Sequence, residues 1–415
     1  MTKLQIPLED VVKATNNFHA GNIIRHDKFS ITYKGELLHS GKEMKISVRR
    51  FDCKHGECDL FLMEKSILSD LKHTNIVSII GYCDEKDEKI IVTAHEANGS
   101  LRQYLNNLNL TWKQRLRICV GVARALSYLH YEKGRDYAIT HSNINSDTIL
   151  LDDNWEAKLS GFEISMIDSS FEKTDDVTHK SDIYSFGVVL FETLCGGKAY
   201  IEEDNRSLVS LAKYHYKNKT LKDIIHPNLW NQMSLQSRFI YSGTAYSCLN
   251  EDLDMLHVVT GLEKALEVQL ARENTENKFE HLKIRLSDIK LATNNFSEIR
   301  AISIWTKKYT LYKAERHYFY KYEKNSSSKK GKNKGEHSKG DNNVYIKRYT
   351  SGNEAYGEGV LVEMLTSVKD PNIVPLLGFC VEASEMIHVF EDDTGVYHNA
   401  TWDSDEEREW KLRDH

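Results

Sequence analysis

The sequence predicts an α+β chain built from two related bodies, the first nearly whole and the second short. Three observations carry this expectation. The segment LQIPLEDVVKATNNF at 4–18 returns as LKIRLSDIKLATNNF at 282–296. The segment NIVSIIGYC at 75–83 returns as NIVPLLGFC at 372–380. Within the first body, β-type runs fill 22–50 and 75–94, with a helical stretch at about 58–71 between them, and helical patterns take over after 112.

The first body orders its elements as sheet, then helices. WKQRLRICVGVARALSYLH places Ile118, Val122, Ala125 and Leu129 at three- and four-residue spacing, one apolar face of a helix. SDIYSFGVVLFETLCG repeats the device with Ile183, Phe186, Leu190 and Leu194 and stops at Gly196, a residue suited to a helix C-terminus. From about 262 to 283 a helix carrying Leu262, Leu266 and Val268 is expected to fade into a charged linker.

The second body follows a different length rule. The two landmarks recur at offsets of 278 and 297, so this copy is 19 residues longer between them. The excess matches KNSSSKKGKNKGEHSKGDNN at 324–343, which has almost no apolar residues and is expected to be a disordered, solvated loop rather than a phosphate- or lipid-binding one. After Cys380 only 35 residues remain, acidic and without a core pattern.

Composition narrows the function classes. A chain of 415 residues has room for two to three domains. Its 40% hydrophobic and 28% charged content is that of a soluble globular protein. A net charge of −6 without a basic stripe argues against nucleic-acid binding. The seven cysteines lack paired CxxC spacing, so free thiols in a reducing compartment are expected, and a metal site is not. There is no signal-peptide pattern, no run of 18 apolar residues, and Thr2 stands where myristoylation needs glycine. The expected location is the cytoplasm, with any position at the inner face of the plasma membrane reached through a partner rather than by direct insertion.

Seven runs in fixed order carry a family resemblance: LEDVVKATNNF, TYKGEL, HTNIVSIIGYC, NGSLRQYL, LTWKQRLRICVGVARALSYLH, ILLDDNWEAKLSGFE and THKSDIYSFGVVLFE. The chain resembles the plant receptor-like Ser/Thr protein kinases over about 4–270 and again over 282–395. The resemblance implies a bilobal protein-kinase-like fold at 12–270, a linker at 271–283, a truncated second kinase-like N-lobe at 284–395 with the insert at 324–343, and an acidic tail at 396–415.

The same resemblance locates the chemistry, and there the residues depart from the family. A kinase reads His-Arg-Asp, a Lys two residues on, an Asn five after the Asp, and later Asp-Phe-Gly. Here His141 is followed by Ser142 and Asn143. Asn145 takes the Lys place, Thr148 the Asn place, and the triplet reads Gly161-Phe162-Glu163. Asn143 cannot accept a proton at neutral pH, and loss of a positioned base typically costs about 10²–10⁴-fold. Thr148 and Gly161 replace both Mg²⁺ ligands, so Mg²⁺ is not expected.

The nucleotide positions are degenerate too. Ile24, Thr32, Arg49 and Glu64 fall where the family binds ATP, with Arg49 in place of Lys and Glu64 as the helix acid able to pair with it. Arg25, Asp27 and Ser30 stand at the three glycine positions of the phosphate-covering loop, which is expected to survive as a plain β-hairpin. ATP is therefore at most a weak ligand. The activation segment is short, and its Glu and the partnering Arg before the last helix are both missing, which can be nearly neutral for folding. Against these losses Leu68, His141 and Phe162 keep the spine positions, and Asp182 keeps the acid that anchors the catalytic loop. In the second copy Lys347 occupies the place of Arg49, the helix acid is absent unless Glu363 supplies it in place of Leu361, and no catalytic loop follows.

Retained packing with altered chemical groups implies a pseudokinase. A decaying gene copy and an unconventional active Ser/Thr kinase are the alternatives. The expected role is binding, with a receptor-like kinase or its partners as the protein partner.

Overall fold

A computed structural model describes residues 4–39, 41–53, 58–107, 109–168, 177–196, 208–250, 253–278, 280–298, 301–306, 309–323, 343–349, 376–382 and 385–391. The expected insert up to residue 342, the tail, Leu361 and Glu363, and the middle of the activation segment lie outside them. The chain divides into two units, Met1–Gln269 and Leu270–His415.

The first unit opens with helix α1 (Leu8–Ala14). Its end is set by the sequence TNNF. Thr15 Oγ1 donates to the Val11 carbonyl at 2.9 Å and accepts from Phe18 N–H at 3.2 Å. Asn16, Asn17 and Phe18 all take positive φ, 51°, 56° and 50°. Asparagine tolerates that region better than most residues, which is why two of them stand there. The turn delivers the Phe18 ring onto Tyr33 at 5.3 Å.

Next comes a five-stranded antiparallel sheet of β1 (Ile23–His26), β2 (Ser30–His39), β3 (Lys42–Phe51), β4 (Ile79–Glu85) and β5 (Glu88–Ala94), in the order β1-β2-β3-β5-β4. Helix α2 (Cys58–Asp70) lies between β3 and β4 in sequence and buries Phe61, Glu64, Ile67 and Leu68. The lead-in residues lie against β4: Ile6 N–H donates to the Tyr82 carbonyl at 2.8 Å. Only glycine permits this approach at 81, because a Cβ there would stand 2.4 Å from the Leu4 carbonyl oxygen.

The helical part holds α3 (Trp112–Tyr131), the short strands β6 (Ala138–Thr140), β7 (Ile149–Leu151), β8 (Ala157–Leu159) and β9 (Met166–Asp168), then α4 (Val177–Cys195), α5 (Leu208–Lys217), α6 (Pro227–Gln232), α7 (Leu235–Cys248) and α8 (Met255–Lys278). Thr111 and Gln114 form a reciprocal capping box that fixes the start of α3. The predicted apolar faces enter one core: Ile118, Val122, Ala125 and Leu129 of α3 with Ile183, Phe186, Leu190 and Leu194 of α4. Arg115, fully buried on α3, has no acid partner among the described residues. Its guanidinium donates to five carbonyls, those of Tyr104, Leu105, Asn107, Leu110 and Thr193, and burial lowers its pKa to about 10. The helix expected to fade after about 270 instead continues to Lys278, and a 3₁₀ turn at Glu280–Leu282 follows.

The second unit holds α9 (Leu286–Ala292), β10 (Ala301–Thr306), β11 (Tyr309–Glu315), α10 (Tyr320–Glu323), β12 (Asn343–Tyr349), β13 (Leu376–Glu382) and β14 (Glu385–Glu391). Its sheet has the order β10-β11-β12-β14-β13, the same permutation as the first. The local devices recur as well. Asn294, Asn295 and Phe296 have φ of 51°, 54° and 59°, Ile284 N–H donates to the Phe379 carbonyl at 2.7 Å, and a Cβ on Gly378 would stand 2.4 Å from the Leu282 oxygen.

Candidate active-site cleft

A cleft of about 870 Å³ opens in the first unit between the sheet and the helical part. Ile24, Thr32, Arg49, Glu64, Asn145 and Gly161 all line it, so most of the residues singled out from sequence come together. Its lining includes the apolar Ile24, Val77, Ile91 and Leu150 and the charged Arg25, Asp27, Arg49, Glu64, Asp147 and Glu163.

Arg49 is the hub of the charged lining residues. It sits on β3, paired in register with Thr32 on β2 and Ile91 on β5. Its Nη1 donates to Glu64 at 2.7 Å and to Glu163 at 3.0 Å, its Nε donates to Ser30 Oγ at 2.8 Å, and its Nη2 lies 3.7 Å from Asp27. Burial opposes the charge on Arg49, but the carboxylates of Glu64, Glu163 and Asp27 outweigh it and raise its pKa above the usual guanidinium value. For Glu64 the balance runs the other way: burial, helped by the nearby charge of Glu163, pushes it up to about 7 although Arg49 pulls it down. At Glu163 burial acts upward as well, yet the hydrogen bond and charge of Arg49 hold its pKa below the usual value. Glu163, a residue that sequence reasoning did not assign to the cleft, thus shares Arg49 with Glu64.

The hairpin of β1 and β2 survives without glycines. Asp27 N–H donates to the Ser30 carbonyl at 2.9 Å and closes the turn. Arg25 Nε donates to Asp27 at 2.7 Å, and its Nη1 donates to the Asp147 carbonyl at 3.2 Å, which ties the hairpin to the loop that carries Asn143 and Asn145.

That loop is knit by its own hydrogen bonds, although the buried Ser142 hydroxyl has no partner among the described residues. Asn145 Nδ2 donates to the carbonyl and side-chain oxygens of Asn143 at 3.1 and 3.0 Å, and Thr148 Oγ1 donates to the Asn143 carbonyl at 2.8 Å. Asn143 Nδ2 points at Glu163 at 3.4 Å. Gly161 has φ of +86°, and a Cβ there would meet Thr148 Cγ2 at 2.8 Å. Backbone sign and space both favour glycine.

His141, Phe162, Leu68 and Asp182 support this loop from below. The rings of His141 and Phe162 meet edge to face at 4.6 Å, and Leu68 belongs to the same core. His141 Nε2–H donates to the Ser160 carbonyl at 3.0 Å while Nδ1 accepts Asn143 N–H at 3.2 Å, so the neutral ring satisfies both. Burial lowers its pKa accordingly. Asp182 accepts from His141 N–H at 2.7 Å, Ser142 N–H at 2.8 Å and His130 Nε2 at 3.0 Å. Burial works against its charge, but His130 and these donors hold its pKa below the usual carboxylate range.

A second contact was invisible in the sequence: Ser47 Oγ and His95 Nδ1, both in the lining, lie 3.0 Å apart. The cleft does not fit Mg²⁺. Positions 148 and 161 carry no carboxylate or amide, and among the described residues no group of three or more His, Cys, Asp or Glu could hold a metal ion. The guanidinium groups of Arg25 and Arg49 face the carboxylates of Asp27, Glu64 and Glu163. Among the described residues no helix is long and apolar enough to cross a membrane.

Comparison with known proteins agrees with the fold. Residues 18–175 match the protein tyrosine and serine/threonine kinase family. The chain is 35% identical over 301 residues to the receptor-like protein kinase ANXUR2 of Arabidopsis thaliana, covering 65% of this chain and 35% of that one. It is 34% identical over 296 residues to FERONIA and 33% over 325 residues to HERK 1, both receptor-like protein kinases of the same plant, covering 64% and 71% of this chain and 32% and 38% of those. The chain spans about a third of the length of these relatives. Kinase-type sheet and helical part, ordered motifs and these similarities together make the chain a member of the plant receptor-like protein kinase family.

Proposed function

We propose that this protein-kinase-like signalling protein acts by binding a receptor-like kinase or that kinase's partners, from the cytoplasmic side, and does not transfer phosphoryl groups. The observation that carries the reading is the fate of Arg49, whose guanidinium is engaged by Glu64 and Glu163 at 2.7 and 3.0 Å. Asn143, Thr148 and Gly161 add three separate deficits, in proton removal and in both metal positions. The buried skeleton of Leu68, His141, Phe162 and Asp182 supports a body kept for its shape. The second unit, with the same strand order, is read as a kinase-like N-lobe, a surface for docking.

The competing reading is an ATP-dependent protein serine/threonine kinase. It is favoured by identity of about a third to proteins named as receptor-like kinases. An autophosphorylation assay with Mg-ATP decides between them. No incorporation into the chain or a generic protein substrate is expected. Turnover above a vector control that disappears on Arg49→Ala overturns the proposal.

A further inference from the structure

We infer that Glu163 and Asp27 are the specificity-determining residues of the cleft, holding its two arginines and so excluding phosphate-bearing ligands. The inference rests on the reading of the cleft given above, but it concerns which ligands enter and not whether phosphoryl transfer occurs.

Each arginine is engaged on the face that a phosphate would need. On Arg49, Nη1 is shared by Glu64 and Glu163, Nε is taken by Ser30 Oγ, and Nη2 faces Asp27. The plane of its guanidinium is covered by the Phe51 ring at 4.9 Å. Arg25 spends Nε on Asp27 and Nη1 on the Asp147 carbonyl. A phosphate that takes Nη1 of Arg49 or Nε of Arg25 must therefore displace a carboxylate. Displacement is unfavourable at Glu163, whose side chain is only 13% exposed and for which Arg49 is the hydrogen-bonded cation. A carboxylate left enclosed without its cation is strongly destabilised. Phosphate that bound without displacement would sit among the carboxylates of Asp27, Glu64, Asp147 and Glu163, against two guanidinium groups. Either route is opposed by charge.

The two carboxylates act at different places. Glu163 comes from the segment after β8 and occupies the inner face of Arg49. Asp27 comes from the β1–β2 turn and stands between the two arginines, 2.7 Å from Arg25 and 3.7 Å from Arg49. Removing either charge should expose part of the site, and removing both should expose an arginine pair.

The test is metal-free titration of the full chain with ADP, followed by calorimetry. Wild type should bind weakly or not at all. Asp27→Asn/Glu163→Gln, which keeps shape and hydrogen-bonding capacity, should bind at least ten-fold tighter, and adding Arg49→Gln should abolish the gain. If the double variant, folded by its own melting transition, binds no tighter than wild type, the inference is overturned. Should the double variant not fold, the single variants Glu163→Gln and Asp27→Asn each should gain several-fold, and a flat response in both overturns it equally. Phosphoryl transfer is measured in parallel. Gained ADP binding without turnover supports the inference. Unchanged binding without turnover removes the inference and leaves the proposed function standing. Turnover by wild type removes the proposed function.

Discussion

Arg49 and Glu163 lie 114 positions apart in the sequence and 3.0 Å apart in the structure. The pair joins the sheet to the segment that follows β8, across the cleft. Together with Glu64 it forms a three-residue ionic cluster whose side chains are 15%, 13% and 5% exposed. Such a cluster is weak evidence for net stability, because desolvation offsets attraction, but breaking it from one side is costly.

Arg49→Met should accordingly destabilise the first unit by about 3–5 kcal/mol, since it leaves two enclosed carboxylates without their cation. Arg49→Met/Glu163→Gln should cost less than the single change, because one of the stranded charges is gone. Urea unfolding of the full chain measures both. A single variant within about 1 kcal/mol of wild type would show that the cluster is not held as described.

Gly161→Asp, which would restore the carboxylate of the family's triplet, should destabilise rather than activate. Its Cβ meets Thr148 Cγ2 at 2.8 Å at a φ of +86°. Strain of this kind costs about 1–3 kcal/mol. Thr148→Ser deletes that methyl and retains the hydroxyl bonded to the Asn143 carbonyl, so it should relieve part of the penalty. A double-mutant cycle read by thermal melting should give a coupling above about 0.5 kcal/mol. Strict additivity would mean that backbone strain alone sets the cost.

The particular residues show what a sequence can and cannot convey here. Ile118, Phe186 and their neighbours were legible because helical periodicity reports one buried face, and α3 and α4 bury those faces. TNNF was legible as a repeated unit, and its left-handed turn occurs in both units. Arg49 with Glu64 was legible because the resemblance carries the pair as one motif. Glu163 was not, although it followed Phe162 in plain sight. It ends the triplet Gly161-Phe162-Glu163 with no role read for it from sequence, whereas the structure brings its carboxylate back to the cation at position 49. The available signal was charge: an Arg for Lys at 49, with a new acid two residues beyond a lost one. Ser47 with His95, and Arg25 with the Asp147 carbonyl, gave no signal, since contacts across 48 and 122 positions are fixed by the assembled fold and leave no local pattern.

Asp182→Asn should destabilise the first unit and loosen the loop from His141 to Asn143. Asp182 accepts three hydrogen bonds, and an amide in its place turns one acceptor into a donor facing a donor. Buried donors left without an acceptor cost about 1–3 kcal/mol each. The expected loss is therefore about 2–4 kcal/mol, with faster amide exchange confined at first to residues 141–143. Unchanged exchange in those residues would remove Asp182 as the anchor.

The second unit should lose stability as the pH falls below about 6.5. His388 on β14 is fully buried, its Nδ1 lies 3.1 Å from the Tyr349 hydroxyl, and its Nε2 has no hydrogen-bond partner among the described residues. Burial, with the charge of Lys347 acting the same way, lowers its pKa to about 3, so the folded unit holds the ring neutral. An unfolded chain takes up that proton near 6.5. Between about 6.5 and 3 the unfolded state therefore binds more protons than the folded one, and stability falls as pH falls, by up to about 1.4 kcal/mol per pH unit. Lys347 contributes in a higher window with the same sign. Burial lowers its pKa to about 8, so stability rises with pH from about 8 to the unfolded value near 10.4. Hydrogen exchange, corrected for intrinsic rates, reads this in peptides covering β12 and β14. Protection should drop between pH 7 and 5 in wild type. In His388→Phe, whose ring can sit beside Tyr349 and Phe390, the drop should be much smaller. Equal losses in the two proteins would assign the acid sensitivity to another group.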